Sequence, residues 1–511
     1  MRSTIIAVLV VYLLILLGIG AWGSRESKSV KGYYVAGKKL PSWVIAFSSN
    51  ATGESAWLLL GLTGMGYAIG IHAVWIVMGE VLGVAVAWAF VARPFKEYTD
   101  RYDSITVPDY LVARFRDNTH VFRILSAVIL LSMITAYTAA QLTASGKAFG
   151  SFLDMGYASG VLIGAAVILY YTTVGGFKAV AYSDFLQGVL MLACLLTLPV
   201  VGILAAGGWL PLMEALQIED PNLLRPMGSF GLSLPGIISA AGFIGIGLAF
   251  LGSPQLLTRF ISARSKRDIV GGGFVAVICI VGFDLGAIFS GMAGRVLFPG
   301  LVDPEMILPE MSSALFPAIF TGIFLVVVLA AIMSTVDSLL ILASSVVVKD
   351  VIQEIFDPNL SERKLSFYGK LVTVIIGVAA IALALTEPRI IFYFVLFAWS
   401  GIGCAFTPVV LCSLFWKRTT RAGAIAGMIT GFVVTVVWTL LFKERFFDLY
   451  EMLPGFFAGL AATVAVSLVT EPPEGAEEEF EDVHREVGHP FRRPREQLRE
   501  AVGGGSPPPT S

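Results

Sequence analysis

The stretch NATGESAW, residues 50–57, interrupts an apolar run that extends from about Trp43 to Ile69. It places the carboxylate of Glu54, with amide and hydroxyl groups, where a continuous membrane helix carries Leu, Val and Ile. An ionisable side chain at the bilayer centre costs about 2.5–3.5 kcal/mol on insertion scales. With Gly53 alongside, this polarity predicts a helix broken within the membrane, whose freed carbonyls can ligate a cation. The alternative is a continuous helix whose hydroxyls bond to carbonyls one turn earlier and whose Glu54 pairs with a buried neighbour.

The composition of the whole chain is that of a membrane protein. Of its 511 residues, 56% are hydrophobic and only 14% are charged, whereas a soluble domain has about 25% charged residues. The net charge of −2 indicates no nucleic-acid partner. All four cysteines lie in apolar segments and predict no disulfide framework. The first apolar run, residues 4–22, exceeds the core of a signal peptide, which is about 7–15 residues, so we expect a retained membrane helix.

The apolar runs predict an all-α integral membrane protein. At about 20 residues per crossing, they give about thirteen spans. The predicted spans lie at residues 4–23, 43–69, 71–93, 121–146, 155–175, 180–206, 234–258, 268–298, 312–348, 367–386, 391–415, 422–442 and 449–470. We expect residues 1–470 to form the transmembrane domain, and residues 471–511, which are charged and rich in Pro and Gly, to form a disordered tail.

The loops predict the orientation in a cell membrane. Lys and Arg concentrate after predicted spans one, three, seven, nine and eleven, and the intervening loops hold few of them. Positively charged loops remain in the cytoplasm. The sequence therefore predicts a multi-pass protein with its amino terminus outside the cell and its carboxyl terminus and tail in the cytoplasm.

A second interrupted helix is predicted in span seven, GFIGIGLAFLGSPQLLTRF, residues 242–260. Pro254 removes a backbone donor and clashes with the preceding turn, and several glycines precede it. Five spans separate this helix from the one that contains Glu54. Because an odd-numbered repeat inverts its second copy, we expect two inverted repeats, at about residues 43–206 and 234–415. Paired broken helices point to a substrate site between the repeats.

Span nine, LAAIMSTVDSLLILASS, carries a third polar signal. Residues at i, i+3, i+4 and i+7 share one helix face, and four small or hydroxyl residues have this spacing. These are Ala331, Ser334, Thr335 and Ser338, with Asp337 beside them. Hydroxyl and carbonyl oxygens suit hard cations, so the stripe is a candidate sodium site. The alternative is hydrogen bonding between helices.

Other polar groups in apolar segments have less definite roles. Asp184 lies near the start of span six with hydroxyl and amide neighbours and is a candidate for ion coupling or an interfacial charge. Glu80 and Asp284 are candidate internal pairs with no assigned role. The chain has no phosphate-binding GxxxxGK[ST] motif and its four histidines form no set, so no enzyme activity is predicted.

Several stretches together identify a resemblance to the sodium/solute symporter family, and most to its sodium/proline branch, over roughly residues 5–470. The resembling stretches include ESAWLLLGLTG, TVPDYLVARF, VGGFKAVAYSDFLQ, GSPQLLTRF and LAAIMSTVDSLL. The resemblance implies a LeuT-like core of two inverted five-helix repeats. It also implies import of a small polar solute together with sodium by alternating access, with proline as the leading substrate.

The resemblance also implies the site residues. Those expected to bind sodium are Ala51, Glu54, Ala331, Ser334 and Thr335, with the first two acting through backbone carbonyls. Those expected around the substrate are Ser55, Trp57, Tyr137, Phe250 and Pro254. Asp184 matches a family aspartate associated with sodium use, and Asp337 and Ser338 extend this candidate second ion site.

Departures from the family pattern leave alternatives open. Proline symporters usually have aspartate at the place of Gly53 and methionine at that of Glu54, and Ile246 and Phe250 replace a tryptophan and a tyrosine. Another amino acid, a sugar or an organic acid therefore remains an alternative substrate. Proton coupling is an alternative because of Glu54 and Asp337. A transporter-like sensor and a passive channel are further alternatives.

Overall fold

The computed structural model describes residues 2–23, 29–386 and 390–487, and this part of the chain is helical apart from loops and one isolated bridge. The helices of the first half are α1 (Arg2–Gly23), α2 (Val30–Val35), α3 (Ser42–Ala56), α4 (Thr63–Ile69), α5 (Val74–Val86), α6 (Ala92–Arg101), α7 (Val107–Phe115), α8 (Val121–Leu153), α9 (Tyr157–Ala205) and α10 (Trp209–Glu219). Those of the second half are α11 (Leu234–Gly245), α12 (Pro254–Ser262), α13 (Lys266–Leu297), α14 (Ile307–Leu315), α15 (Ala318–Ser345), α16 (Glu362–Thr386), α17 (Ile391–Phe415), α18 (Arg421–Val437), α19 (Met452–Val469) and α20 (Ala476–Val487).

Shorter helical segments extend or join these helices. Short 3-10 segments are Ala36–Lys38, Gly70–Ala73, Pro221–Leu224, Gly228–Phe230, Ile246–Leu251, Pro304–Met306 and Lys443–Phe446. Wider π-helical segments are Trp57–Leu62, Ala87–Val91, Val346–Phe356 and Trp438–Phe442. A π segment follows the break in the first polar span, and a 3-10 segment precedes the break in the second. The regular helical hydrogen-bond pattern is thus altered next to both breaks.

Eleven helical stretches of the described residues are long and apolar enough to cross a membrane. One of them, Ser42–Arg101, has 60 residues, about three times the length that a bilayer requires, and is interrupted at Gly70 with φ 58°. A shorter apolar helix covers Tyr157–Tyr170. The chain is therefore an all-α, multi-pass membrane protein. The count of thirteen spans remains a prediction.

The predicted break in span two lies at Ser55, within the last turn of α3. Ser55 has φ 36° and ψ −165°, a backbone conformation outside the helical region. Ser55 and its neighbours in α3 are buried. The continuous helix considered as an alternative is therefore wrong. The predicted break in span seven is also confirmed: the chain leaves helical geometry at Gly252 and Ser253, and α12 restarts at Pro254, where the missing N–H removes no helical bond. A third interruption, at Gly176 with φ 66°, divides α9.

The broken helices lie around a buried centre. In each of the stretches that contain α15 and α17, 83% of the most apolar 18 residues are buried. The corresponding share in α1 is 22%. Helix α3 packs against α9, α13 and α15, and α5 packs against Ile246–Leu251. The backbones of α5 and α11 approach closely at Gly79, where an added Cβ would lie only 2.5 Å from the Ile244 carbonyl oxygen. The polar stretch of span two is therefore enclosed by protein.

The expectation of a disordered tail is corrected for residues 476–487, which form α20. Val483 and Val487 are buried, and Arg93 donates a hydrogen bond to the Val487 carbonyl. Arg101 pairs with Glu486 at 3.0 Å. The apolar residues of α20 share one face, and acidic residues fill its first turn, where the helix dipole favours them. Composition alone concealed this amphipathic pattern. Residues 488–511 lie outside the described residues.

Candidate ion and substrate site

The break at Ser55 is held by side chains that replace the lost helical hydrogen bonds. Gln141 of α8 accepts from the Ala56 N–H through Oε1 at 3.1 Å and donates to Ser55 Oγ through Nε2 at 3.2 Å. Trp57 donates from its indole Nε1 to the Gly53 carbonyl at 3.2 Å. Gln141 was not predicted from the sequence, where an amide side chain in an apolar span was the available signal. The structure shows that Gln141 is fully buried.

Hydroxyls of α15 meet backbone oxygens of α3 beside this break. Ser334 Oγ lies 2.9 Å from the Ala51 carbonyl oxygen and 3.1 Å from that of Ala331. Thr335 Oγ1 donates to the Thr52 carbonyl at 3.1 Å. All these residues are buried. We call Ala51, Thr52, Ala331, Ser334 and Thr335 the neutral oxygen cluster. It offers carbonyl and hydroxyl oxygens, the donor types that hard cations prefer.

Glu54 takes part in this region in a different way from its neighbours. Its carbonyl accepts a hydrogen bond from the Trp57 N–H. Its carboxylate lies with those of Glu80 and Asp284, where one oxygen of each lies within 4.8 Å of the others. Sequence reasoning left Glu80 and Asp284 as internal pairs, and the structure places both with Glu54.

Asp184 of α9 lies in a charged network with groups of α3, α12 and α15. Its Oδ2 accepts from Ser48 Oγ at 2.7 Å and lies 3.1 Å from Arg259 Nη2. The same nitrogen lies 2.6 Å from Thr52 Oγ1 and 2.5 Å from Ser338 Oγ. Asp184 is completely buried, so the interfacial reading is wrong. We call this set the guanidinium network.

Arg259 was not predicted as a site residue, because it follows predicted span seven at once and counts among the positive charges of a cytoplasmic loop. It lies on α12, just after the second break, and is 1% exposed. Its Nη1 also donates to the Gln255 carbonyl one turn earlier, at 2.7 Å. Asp337 adjoins the network: its Oδ1 lies 3.4 Å from Ser338 Oγ, and its Oδ2 has no hydrogen-bond partner. An arginine directly after a broken polar helix was the signal available.

The residues expected around the substrate occupy two groups. Phe250 contacts Gly53, since a Cβ built on that glycine would lie 3.2 Å from the Phe250 ring. Its ring also meets Trp399 edge-on, with centroids 5.0 Å apart. The Trp57 ring instead meets Phe392 of α17, with centroids 5.8 Å apart. The larger aspartate expected at residue 53 would therefore press against Phe250.

The remaining candidates line the two breaks. Tyr137 of α8 is buried, and its hydroxyl has no hydrogen-bond partner. Pro254 begins α12 and its carbonyl accepts from Thr258 at 2.8 Å. Trp399, which sequence reasoning did not name, donates from Nε1 to the Ile246 carbonyl at 3.1 Å. Unpaired hydroxyls and aromatic faces at the breaks are the groups with which a small polar solute could interact.

Two membrane helices that break around buried oxygens are typical of secondary transporters. A solved structure of a Na+-coupled sialic acid symporter has the same fold, with a TM-score of 0.79 over 92% of this chain and 98% of that chain, at 18% sequence identity. The chain thus has the LeuT-like fold that the family resemblance implies.

Sequence comparisons identify the family. A model described as the sodium:solute symporter family matches residues 33–431. A high-affinity proline transporter of Bacillus subtilis is 35% identical over 466 residues, which cover 90% of this chain and 97% of that relative. A sodium/proline symporter of Salmonella typhimurium is 34% identical over 478 residues, 91% of this chain and 93% of that relative. The chain therefore belongs to the sodium:solute symporter family, as its motifs predict. It is a sodium-coupled solute symporter, and its relatives are transporters rather than enzymes.

Proposed function

We propose that the chain imports proline together with sodium across the cell membrane, with the amino terminus outside and the carboxyl terminus in the cytoplasm. The observation that carries the proline assignment is the 35% identity, across 90% of the chain, to a transporter named for proline. The repeats proposed to rock against each other are residues 43–206 and 234–415, within a transporter domain of residues 1–470.

The proposed sodium site is the neutral oxygen cluster together with the Glu54 carbonyl. The Ser334 hydroxyl already lies between two carbonyl oxygens, those of Ala51 and Ala331, so a cation there would meet oxygens from both helices. Thr335 contributes the second hydroxyl. Sodium bound there would hold α15 against the broken α3 and order the unwound backbone of the substrate site. By linkage, sodium then raises substrate affinity, and substrate raises sodium affinity equally.

The proposed substrate site consists of Ser55, Trp57, Tyr137, Phe250 and Pro254. The freed backbone and the Ser55 and Tyr137 hydroxyls would bind the polar groups of proline, and the aromatic rings would cover its apolar ring. Uptake is driven by the sodium gradient and the membrane potential, since each inward elementary charge releases about 2.3 kcal/mol per 100 mV.

The guanidinium network is the proposed second coupling site. The network contains Asp184, Arg259 and Ser338, and Asp337 lies next to it. The positive charge of Arg259 occupies the position beside Asp184 where a second cation would otherwise be expected. Its role is to couple the second broken helix, which carries Arg259, to α3 and α15. Whether a second ion enters depends on movement of this guanidinium.

Uptake of labelled proline into proteoliposomes tests the function. An imposed inward sodium gradient should drive accumulation, and an imposed proton gradient without sodium should not. Unlabelled amino acids, sugars and organic acids are then added as competitors, because Gly53 and Phe250 depart from the pattern of proline symporters. Sodium-driven uptake that proline fails to inhibit would overturn the substrate and retain the symporter.

A further inference from the structure

The side-chain amide of Gln141, on α8, lies between two polar groups of the break in span two. Its Oε1 accepts from the Ala56 N–H at 3.1 Å, and its Nε2 donates to Ser55 Oγ at 3.2 Å. All three residues are completely buried. Chemistry fixes the orientation of the amide, because a backbone N–H can only donate and must therefore face the amide oxygen. The amide nitrogen is thus directed at Ser55.

The first two backbone N–H groups after the break are already bound to the protein. A helix that restarts inside a membrane protein usually leaves such groups free to attract an anion. Here the Ala56 N–H is bound to Gln141. The Trp57 N–H bonds to the Glu54 carbonyl and also lies 3.3 Å from Ser55 Oγ. The groups that remain for a solute at this end of the break are therefore side chains.

The Ser55 hydroxyl is left with a hydrogen to donate and nothing with which to accept. A hydroxyl has one hydrogen and two lone pairs, so it can usually act in either sense. One lone pair of Ser55 Oγ accepts from Gln141 Nε2, and the other accepts from the Trp57 N–H. Among the described residues, no acceptor lies within hydrogen-bond distance for the remaining hydrogen. Ser55 is therefore a dedicated donor as long as Gln141 is in place.

A second unused donor, the Tyr137 hydroxyl, lies beside Ser55. Tyr137 is one helical turn before Gln141 on α8, so the two side chains share a face. It is 1% exposed, and its hydroxyl is near Ser55 without making a hydrogen bond to any described residue. The buried carboxylates of Glu54 and Glu80 accept from neither hydroxyl. Buried donors without partners are costly, and a ligand that accepts from both removes that cost.

We propose that Gln141 is a positioning residue that makes the break select a solute with a carboxylate. Because Gln141 restricts Ser55 to donating, one carboxylate oxygen accepts from Ser55 and the other from Tyr137. A carboxamide fits less well, because its NH2 group also donates and would face a hydroxyl that cannot accept. This inference rests on the proposed function and extends it, since it names the group of proline that the break recognises and the residue that sets this preference.

The ratio of two affinities tests the proposal. Labelled proline is bound to the full-length chain in nanodiscs in the presence of sodium, and unlabelled proline or prolinamide is added as competitor. Prolinamide differs from proline only in having a carboxamide in place of the carboxylate. The wild-type protein should bind proline about tenfold more tightly than prolinamide, or better. Equal affinities for the two compounds would overturn the proposal.

Gln141→Met assigns the preference to Gln141, because methionine has a similar length and no amide. Ser55 can then also accept, so the preference for proline over prolinamide should fall about fivefold. A purely structural role would weaken both compounds by the same factor and leave the ratio unchanged. In a Ser55→Ala background, Gln141→Met should not change the ratio further, because the hydroxyl through which Gln141 acts is absent. Thr135→Val is the matched control, since the Thr135 hydroxyl donates to the Leu131 carbonyl of its own helix, and it should keep the wild-type ratio.

An unchanged ratio in a folded Gln141→Met protein would overturn this inference while sodium-driven proline uptake, and with it the proposed function, still stands. If Gln141→Met does not fold, Ser55→Ala alone decides, because it should also lower the ratio and an unchanged ratio would contradict the proposal. If the wild-type protein carries another solute in place of proline, the proposed substrate is wrong, and the same comparison is made with that solute and its amide. A carried solute without a carboxylate would overturn the inference as well.

Discussion

The neutral oxygen cluster and the guanidinium network contact α3 and α15 about one turn apart, but the oxygens of the two regions are satisfied in different ways. Ser334 and Thr335 bring hydroxyls to backbone carbonyls, with no charge of either sign. One turn further along α15, Ser338 meets the guanidinium of Arg259, which is paired with Asp184. We propose that the first region accepts a cation from solution, whereas the second already contains the positive charge of Arg259.

This difference predicts which region tolerates substitution. Removing a hydroxyl from the neutral cluster leaves no charge behind, so it affects ion affinity more than folding. Removing Arg259 leaves the buried Asp184 carboxylate without its ion-pair partner, and breaking a buried pair costs about 3–5 kcal/mol. The predictions below test the contrast from its largest expected effect to its smallest.

Arg259→Gln should have the largest effect. We expect the free energy of unfolding to fall by about 3–5 kcal/mol and sodium-driven uptake to be lost. Thermal unfolding in detergent and proteoliposome uptake measure the two effects. Adding Asp184→Asn should recover part of the stability, because the unpaired charge is removed. Arg264→Gln is the control, since Arg264 is largely exposed and water screens its ion pair with Asp268. Equal losses in the two arginine variants would contradict the contrast.

Ser334→Ala combined with Thr335→Ala should raise the sodium concentration for half-maximal uptake by about tenfold, which corresponds to about 1.4 kcal/mol. Thermal stability should change less than in the Arg259 variant. Ser345→Ala is matched to it, because this buried hydroxyl of α15 donates only to the Leu342 carbonyl of its own helix. An unchanged sodium dependence in the double variant would remove α15 from the ion site.

Trp57→Ala should raise the proline concentration for half-maximal uptake several-fold, about 1 kcal/mol, and change the sodium dependence less. The Trp57 indole packs edge-on against Phe392 and donates a hydrogen bond to the Gly53 carbonyl. We expect the backbone at the break to become less ordered on the substrate side when both contacts are lost. Initial rates at varied proline and varied sodium separate the two effects. Trp209→Ala, on α10 and partly exposed, should change neither. A larger effect on sodium than on proline would contradict the division between the sites.

Val483→Asp should have the smallest effect on transport, within about twofold, because α20 packs against α6, which carries no residue of either ion region. The charged side chain should detach α20 from α6, since Val483 is completely buried. Limited proteolysis should then cut the tail faster than in the wild-type protein. The control Glu481→Gln changes an exposed position of the same helix. A large loss of uptake would show that the tail contributes to the transport cycle.

The breaks were predictable from the sequence because their causes are local. Glu54 and its polar neighbours, and Gly252 with Pro254, each act within a few residues of the break. The pairing of Ser334 with Ala51 was implied by the family resemblance and not by spacing, because the two residues are distant in the chain.

The structure adds the partners that come from distant segments. Arg259 resembled a loop charge, and only tertiary packing shows it between Asp184 and Ser338. Glu80 and Asp284 looked like separate polar residues in two spans until packing brought them to Glu54. The helix α20 was missed for a different reason: its charged composition concealed a short apolar face.

Proline affinity measured with and without sodium on the purified protein tests the central claim most directly. The claim is that sodium in the neutral oxygen cluster orders the break at Ser55 and thereby the substrate site. We predict that sodium lowers the proline dissociation constant in the wild-type protein and does so much less in the Ser334→Ala/Thr335→Ala variant. A proline dissociation constant that is the same in sodium and in choline would contradict the account.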